Sequence, residues 1–145
     1  VDMQRLARAA LGELSGELDG RSVEVQIDEL PYVQADRALM KQVFLNLLGN
    51  ALKFTRPCEN AQIKVGTKQN NGETVYFVRD NGVGFEPGHS DALFLVFHRL
   101  HKSHNFEGSG VGLALVKRIV ERHGGRIWAD GVTNCGATFY FTLSA

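Results

Sequence analysis

Between Asp2 and Leu18 the apolar residues Met3, Leu6, Ala10, Leu14 and Leu18 recur three or four positions apart, which predicts an amphipathic helix over 2–18. Val23, Val25 and Ile27 then alternate with Ser22, Glu24 and Gln26, the signature of a short half-buried strand. Pro31 interrupts the pattern, and Asp36 is placed to cap a long helix running to about Thr55. Alternation returns at Ile63, Val65 and Thr67, Asn70-Asn71-Gly72 is a hairpin turn signal, and 73–79 reads as the partner strand. From Phe85 to Gly108 no period is sustained, so a long mobile loop is predicted, of the kind that is usually functional in a compact domain. Val111 to His123 predicts a helix closed by Gly124-Gly125. Two strands, near 126–129 and 137–143, finish the chain. The order αβαββ–loop–αββ predicts an α/β two-layer sandwich in a single domain over 1–145, with helices packed on one face of a mixed, mainly antiparallel sheet.

Composition narrows the function classes. A hydrophobic share of 43% with 9% aromatics supports a real core and excludes wholesale disorder. Sixteen basic residues against sixteen acidic ones give a net charge of zero, which argues against a surface that tracks nucleic acid or anionic lipid. The longest run of bulky apolar residues is Leu93 to Phe97, far short of the ~18 a membrane helix needs, and no cleavable signal pattern is present. Cys58 and Cys135 form no CxxC pair, so neither a disulfide scaffold nor a cysteine zinc site is expected. A soluble, cytoplasmic-type domain without membrane contact remains, and its opening on Val1 marks it as an expected segment of a longer parent protein.

Glycine departs from the average: 16 in 145 residues is about 11%, against ~7% typically. Gly82, Gly84, Gly88, Gly108, Gly110 and Gly112 all fall between positions 82 and 112, where backbone must turn tightly or approach a ligand. Familiar nucleotide loops do not account for them. No G-x-x-x-x-G-K-[ST] occurs, and Leu113 stands where a dinucleotide fingerprint needs its last glycine. G-x-S-x-G fails around Ser109 because Glu107 holds the first glycine position, and there is no HExxH. His98, His101 and His104 read as a histidine-rich loop rather than a metal cluster, lacking a nearby cysteine or carboxylate set.

Three segments carry chemistry. In Gln42 to Thr55, Asn46, Asn50 and Lys53 lie within about 60° of one another at 100° per residue, beside an apolar stripe of Val43, Leu47 and Ala51. Asparagine is unfavourable inside a helix, yet its amide oxygen suits a hard cation already held by phosphates, and Lys53 is placed to meet those phosphates. In Arg79-Asp80-Asn81-Gly82-Val83-Gly84-Phe85, Asp80 ends an apolar strand, where a carboxylate can accept from the exocyclic amine of adenine but is repelled by the acceptor guanine presents there. Glu107-Gly108-Ser109-Gly110-Val111-Gly112-Leu113 leads straight into a helix, whose free N–H groups make an anion site. Taken singly, each has a plainer alternative: solvent-facing asparagines, an ordinary Asp-Asn-Gly turn, a flexible hinge.

In this order the three resemble the N, G1 and G2 boxes of the Bergerat-type ATP-binding fold shared by sensor histidine kinases, type II topoisomerases, Hsp90 and MutL proteins. The chain looks most similar to the catalytic and ATP-binding domain of a bacterial sensor histidine kinase. Leu93 to Leu100 resembles the F box of those kinases, inside an ATP lid at about 85–108, while 124–129 and 136–139 resemble their closing strands. The resemblance implies Asn50 as principal Mg²⁺ ligand with Asn46 alongside, Lys53 and Arg99 as phosphate contacts, and Asp80 as adenine reader. It implies Gly82, Gly84, Gly108, Ser109, Gly110, Val111, Gly112 and Leu113 as a backbone cradle, with Phe54 packing the base. Phe54 stands where tyrosine is frequent, Val96 where the F box often carries a charge, and Ala137 where threonine is usual.

The phosphoryl acceptor of such kinases is a histidine on a separate dimerisation domain, and none of His89, His98, His101, His104 or His123 has that helical, acid-flanked setting. The implied activity is therefore half of an ATP-dependent protein-histidine kinase in a two-component system. It transfers the γ-phosphate of Mg·ATP to that domain, with a response regulator receiver domain downstream and homodimerisation only through the missing domain. The expected location is cytoplasmic, whether the parent is soluble or membrane-anchored. Two rivals are an ATPase of the same superfamily and a non-catalytic nucleotide-binding regulatory module. Hydrolysing relatives carry a glutamate where this chain has Asn46, and an amide cannot act as the base for water.

Overall fold

The computed structural model describes residues 1–18, 20–84, 111–132 and 135–143. The predicted loop at 85–108, with Arg99, Gly108, Ser109, Gly110 and the segment 93–100, lies outside the described residues.

Helix α1 (Met3–Glu13) is capped by Asp2, whose side chain accepts from Arg5 N–H at 3.1 Å, and it buries Met3, Leu6, Ala7 and Ala10. It is shorter than predicted. Leu14 is its C-cap, and Ser15–Leu18 forms a 3₁₀ turn, so the weak helix formers Ser15 and Gly16 lie past its end. The apolar spacing runs on past the helix end because Leu14 and Leu18 both still pack against the core.

Strand β1 (Val23–Ile27) leads into α2 (Arg37–Phe54), and β2 (Ala61–Asn70) returns parallel to β1, a βαβ unit. Asp36 caps α2 as predicted, its carboxylate accepting from Leu39 N–H at 3.0 Å. Asn71 and Gly72, both at positive φ, then turn β2 into antiparallel β3 (Glu73–Asp80), as an Asn-Gly hairpin requires. After α3 (Val111–Arg122), β4 (Ile127–Val132) and β5 (Gly136–Phe141) complete a sheet ordered β1-β2-β3-β5-β4, with every pair but the first antiparallel. β4 extends three residues beyond expectation: Asp130 and Gly131 resemble turn residues in sequence but pair in the ladder with Thr138 and Ala137.

Helices cover one face of the sheet. Phe44 and Leu47 of α2 and Val116 of α3 are fully buried in one cluster with Tyr76, Phe139 and Phe141 from the strands. On the other face, among the described residues, side chains cover one another. Trp128 stacks on Tyr140 at 5.4 Å, and Arg126, Lys68 and Arg79 lie over Trp128, Tyr140 and Phe77 at 4.6–4.9 Å. Such cation–aromatic contacts let an antiparallel face without a helix layer tolerate water.

Candidate functional site

Helix α2 supplies the first wall. Val43, Leu47 and Ala51 are buried, whereas Asn46, Asn50, Lys53 and Phe54 are half-buried on the neighbouring face. The Asn46 amide nitrogen donates to the Gln42 carbonyl at 2.8 Å, which leaves its oxygen to face away from its own backbone. That oxygen sits against α3: a Cβ placed on Gly112 would come within 2.8 Å of it. The glycine therefore lets the described beginning of α3 lie directly on the asparagine face. Leu113 is buried beside it.

Strand β3 supplies the second wall. Asp80, 5% exposed, ends the strand, and its Oδ1 accepts from Gly82 N–H at 2.8 Å. Burial pushes its carboxyl up to about 6 from an ordinary 3.8, against the opposing pull of backbone N–H bonds from Gly82 and Ala137. The loop that follows is held from two sides. Asn81 accepts from Gln62 N–H at 2.8 Å and donates to the Asn60 carbonyl at 3.0 Å, and Val83 N–H donates to the Phe54 carbonyl at 3.0 Å.

Glycine is required here for a reason the sequence does not disclose. A Cβ on Gly82 would lie 2.3 Å from the Phe54 carbonyl oxygen, and one on Gly84, at φ +65°, 2.1 Å from that of Val132. The space these glycines release is filled by the chain's own backbone, which locks the Asp80 loop onto the end of α2.

The three predicted segments thus meet on α2: Asn46, Asn50, Lys53 and Phe54 on the helix, Gly112 against Asn46, and Gly82-Val83 of the Asp80 loop against Phe54. Arg99 and Gly108 to Gly110 lie outside the described residues, and Val111 begins α3. Sequence reasoning missed Asn81, whose side chain clamps the loop to β2, although its place in an Asp-Asn-Gly turn was a signal for it. Chemically, the surface offers a buried acceptor, two neutral amides, an ammonium and the positive end of a helix, a set suited to a base bearing an amine and a chain of phosphates. No group of three or more His, Cys, Asp or Glu side chains able to hold a metal is found among the described residues. A hard cation here would take neutral amide oxygens and the oxygens of a ligand, and Asn46 and Asn50, one turn apart and half-buried, fit that donor set.

Residues 35–145 match the model of the "Histidine kinase-, DNA gyrase B-, and HSP90-like ATPase" family. Cyanobacterial phytochrome A of Nostoc sp. is 40% identical over 143 residues, 99% of this chain but only 19% of the relative's length. The chain thus spans about a fifth of that protein. Among solved structures, a mycobacterial sensor histidine kinase, MprB, superposes with a TM-score of 0.83 at 26% identity, covering 99% of this chain and 95% of that one. Full-length ShkA in complex with AMPPNP gives a TM-score of 0.79 at 28% identity, covering 100% of this chain and 31% of that one. No described helix is long and apolar enough to cross a membrane.

Proposed function

Given that the chain belongs to the histidine kinase-, DNA gyrase B- and HSP90-like ATPase family, we propose that it binds Mg·ATP and delivers the γ-phosphate to a histidine on a separate dimerisation domain of its parent protein. The observation that carries this reading is the convergence on α2: Asn46 lies against the start of α3, and the Asp80 loop is bonded to Phe54 at the helix end, about two turns further on.

Each residue then has a role. Asp80 accepts from the exocyclic amine of adenine, and Phe54 offers an apolar face to the base. Asn50, with Asn46 alongside, holds Mg²⁺, and Lys53 and Arg99 hold phosphate. Gly108, Ser109, Gly110, Val111, Gly112 and Leu113 form the backbone cradle, while Gly82 and Gly84 seat the Asp80 loop on the backbone of Phe54 and Val132. Mg²⁺, when bound, neutralises phosphate charge; positioning by these residues does the rest, as is general for phosphoryl transfer. Asn46 sets the outcome. An amide whose nitrogen is engaged by the Gln42 carbonyl cannot take a proton from water, so transfer to an imidazole nitrogen, already nucleophilic, is favoured over hydrolysis. The setting is cytoplasmic, where ATP is available, and a response regulator receiver domain takes the phosphoryl group onward.

Phosphate release by the isolated chain tests this. With Mg·ATP saturating, release is expected to stay far below the ~1–10³ s⁻¹ of ordinary enzymes. Sustained turnover in that range would replace transfer by hydrolysis.

A further inference from the structure

We propose that Arg21 is a positioning residue for adenine recognition, acting through the end of α2; this rests on the adenine-binding reading above. Arg21 lies before β1, outside the residues 35–145 that match the family model. Its guanidinium reaches across the fold. Nη1 donates to the Leu52 carbonyl at 2.8 Å and Nη2 to the Thr55 hydroxyl oxygen at 3.0 Å. Thr55 is fully buried, and its single hydroxyl proton goes to the Ala51 carbonyl at 2.7 Å, leaving a lone pair for Arg21.

The last four carbonyls of a helix have no partner within it, and here all four are accounted for. Ala51 accepts from Thr55, and Lys53 accepts from Arg56 N–H at 3.2 Å. The two remaining carbonyls take partners from far along the chain: Leu52 accepts from Arg21, beside a longer contact with the Thr55 hydroxyl at 3.2 Å, and Phe54 accepts from Val83. Arg21 places its positive charge at the negative end of the helix dipole, in the turn that carries Lys53 and Phe54. The Phe54 carbonyl anchors the loop whose Gly82 N–H bonds Asp80. An unbroken path of bonds thus runs from Arg21 through the last turn of α2 to the carboxylate that reads the base. Arg21 is itself held in place, its N–H donating to the Leu18 carbonyl at 3.1 Å, and the next residue, Ser22, accepting from Ala61 N–H at the start of β2. A wall fixed by the chain's own bonds loses less freedom when a ligand docks on it.

The test is calorimetric titration of Mg·ATP and Mg·GTP into the chain and into Arg21→Gln and Arg21→Lys, with melting temperature recorded alongside. Arg21→Gln is expected to weaken ATP roughly tenfold, the scale of one lost charge-assisted hydrogen bond, and to leave GTP unchanged. Arg21→Lys, which keeps the charge and one donor but not the fork, should fall between. A lower melting temperature with the wild-type ATP-over-GTP ratio would make Arg21 a structural cap only and overturn the inference. If Arg21→Gln does not fold, Arg21→Lys is judged by the same ratio. Absence of ATP preference in the wild type would instead sink the adenine-binding reading and the inference with it.

Discussion

Replacing Asn50 with alanine is expected to slow phosphoryl transfer by a factor of about 10²–10³ while leaving the fold intact. Asn50 lies on the half-buried face of α2, one turn from Asn46 and beside the buried Ala51. Its amide oxygen is the neutral hard donor assigned to Mg²⁺, and no described carboxylate cluster stands ready to take over that role. Losing a preorganised group of this kind costs about 10²–10³ in rate. Alanine is the better helix former, so the melting temperature should hold or rise. Transfer measured with labelled ATP, next to a thermal unfolding curve, checks both halves. Retained transfer would remove Asn50 from the metal site.

Asp80→Asn should carry the second large effect. The buried carboxylate is assigned the exocyclic amine of adenine, and replacing an ionised acceptor by an amide costs about 1.5–3 kcal/mol, ten- to hundredfold in ATP affinity. Acidity makes the prediction sharper. Because burial raises this carboxyl to about 6, the acceptor is ionised above that pH and lost below it. ATP affinity should therefore fall about tenfold per pH unit below 6, and Asp80→Asn should remove that dependence. The effect on stability has the opposite sign. Between 3.8 and about 6 the folded chain binds a proton that the unfolded chain does not, so this group's contribution declines as pH rises through that window and the penalty is complete above it. At neutral pH the variant should thus bind ATP worse yet unfold no more easily. Calorimetry and denaturant titration across pH 5–8 separate the two. A pH-independent affinity in the wild type would contradict the assignment.

Much of this architecture was legible in the chain because its signals were local. The Asn-Gly hairpin, the Asp36 cap and the alternation in β1 and β2 each depend on neighbours only a few residues away. The asparagine face of α2 was legible too, since helical angle alone groups Asn46, Asn50 and Lys53. Signals failed where the deciding partner was remote. Arg21 meets groups 31 and 34 positions away, and nothing in its own neighbourhood announces them. Gly82 and Gly84 were expected to admit a ligand, whereas the backbone they admit belongs to Phe54, 28 residues upstream of Gly82, and to Val132 across the sheet. The end of α1 differs for a subtler reason: Leu14 and Leu18 pack against the core beyond the helix, so the apolar pattern continues while the helix does not.

Transfer to a histidine outside this chain is settled by mixing the chain with a dimerisation-helix fragment of its parent protein and γ-labelled Mg·ATP, then following the label. Label is expected on a fragment histidine, lost in acid and stable in base, with little free phosphate when the fragment is omitted. Label released as free phosphate at the same rate with or without the fragment, and none on histidine, would contradict it.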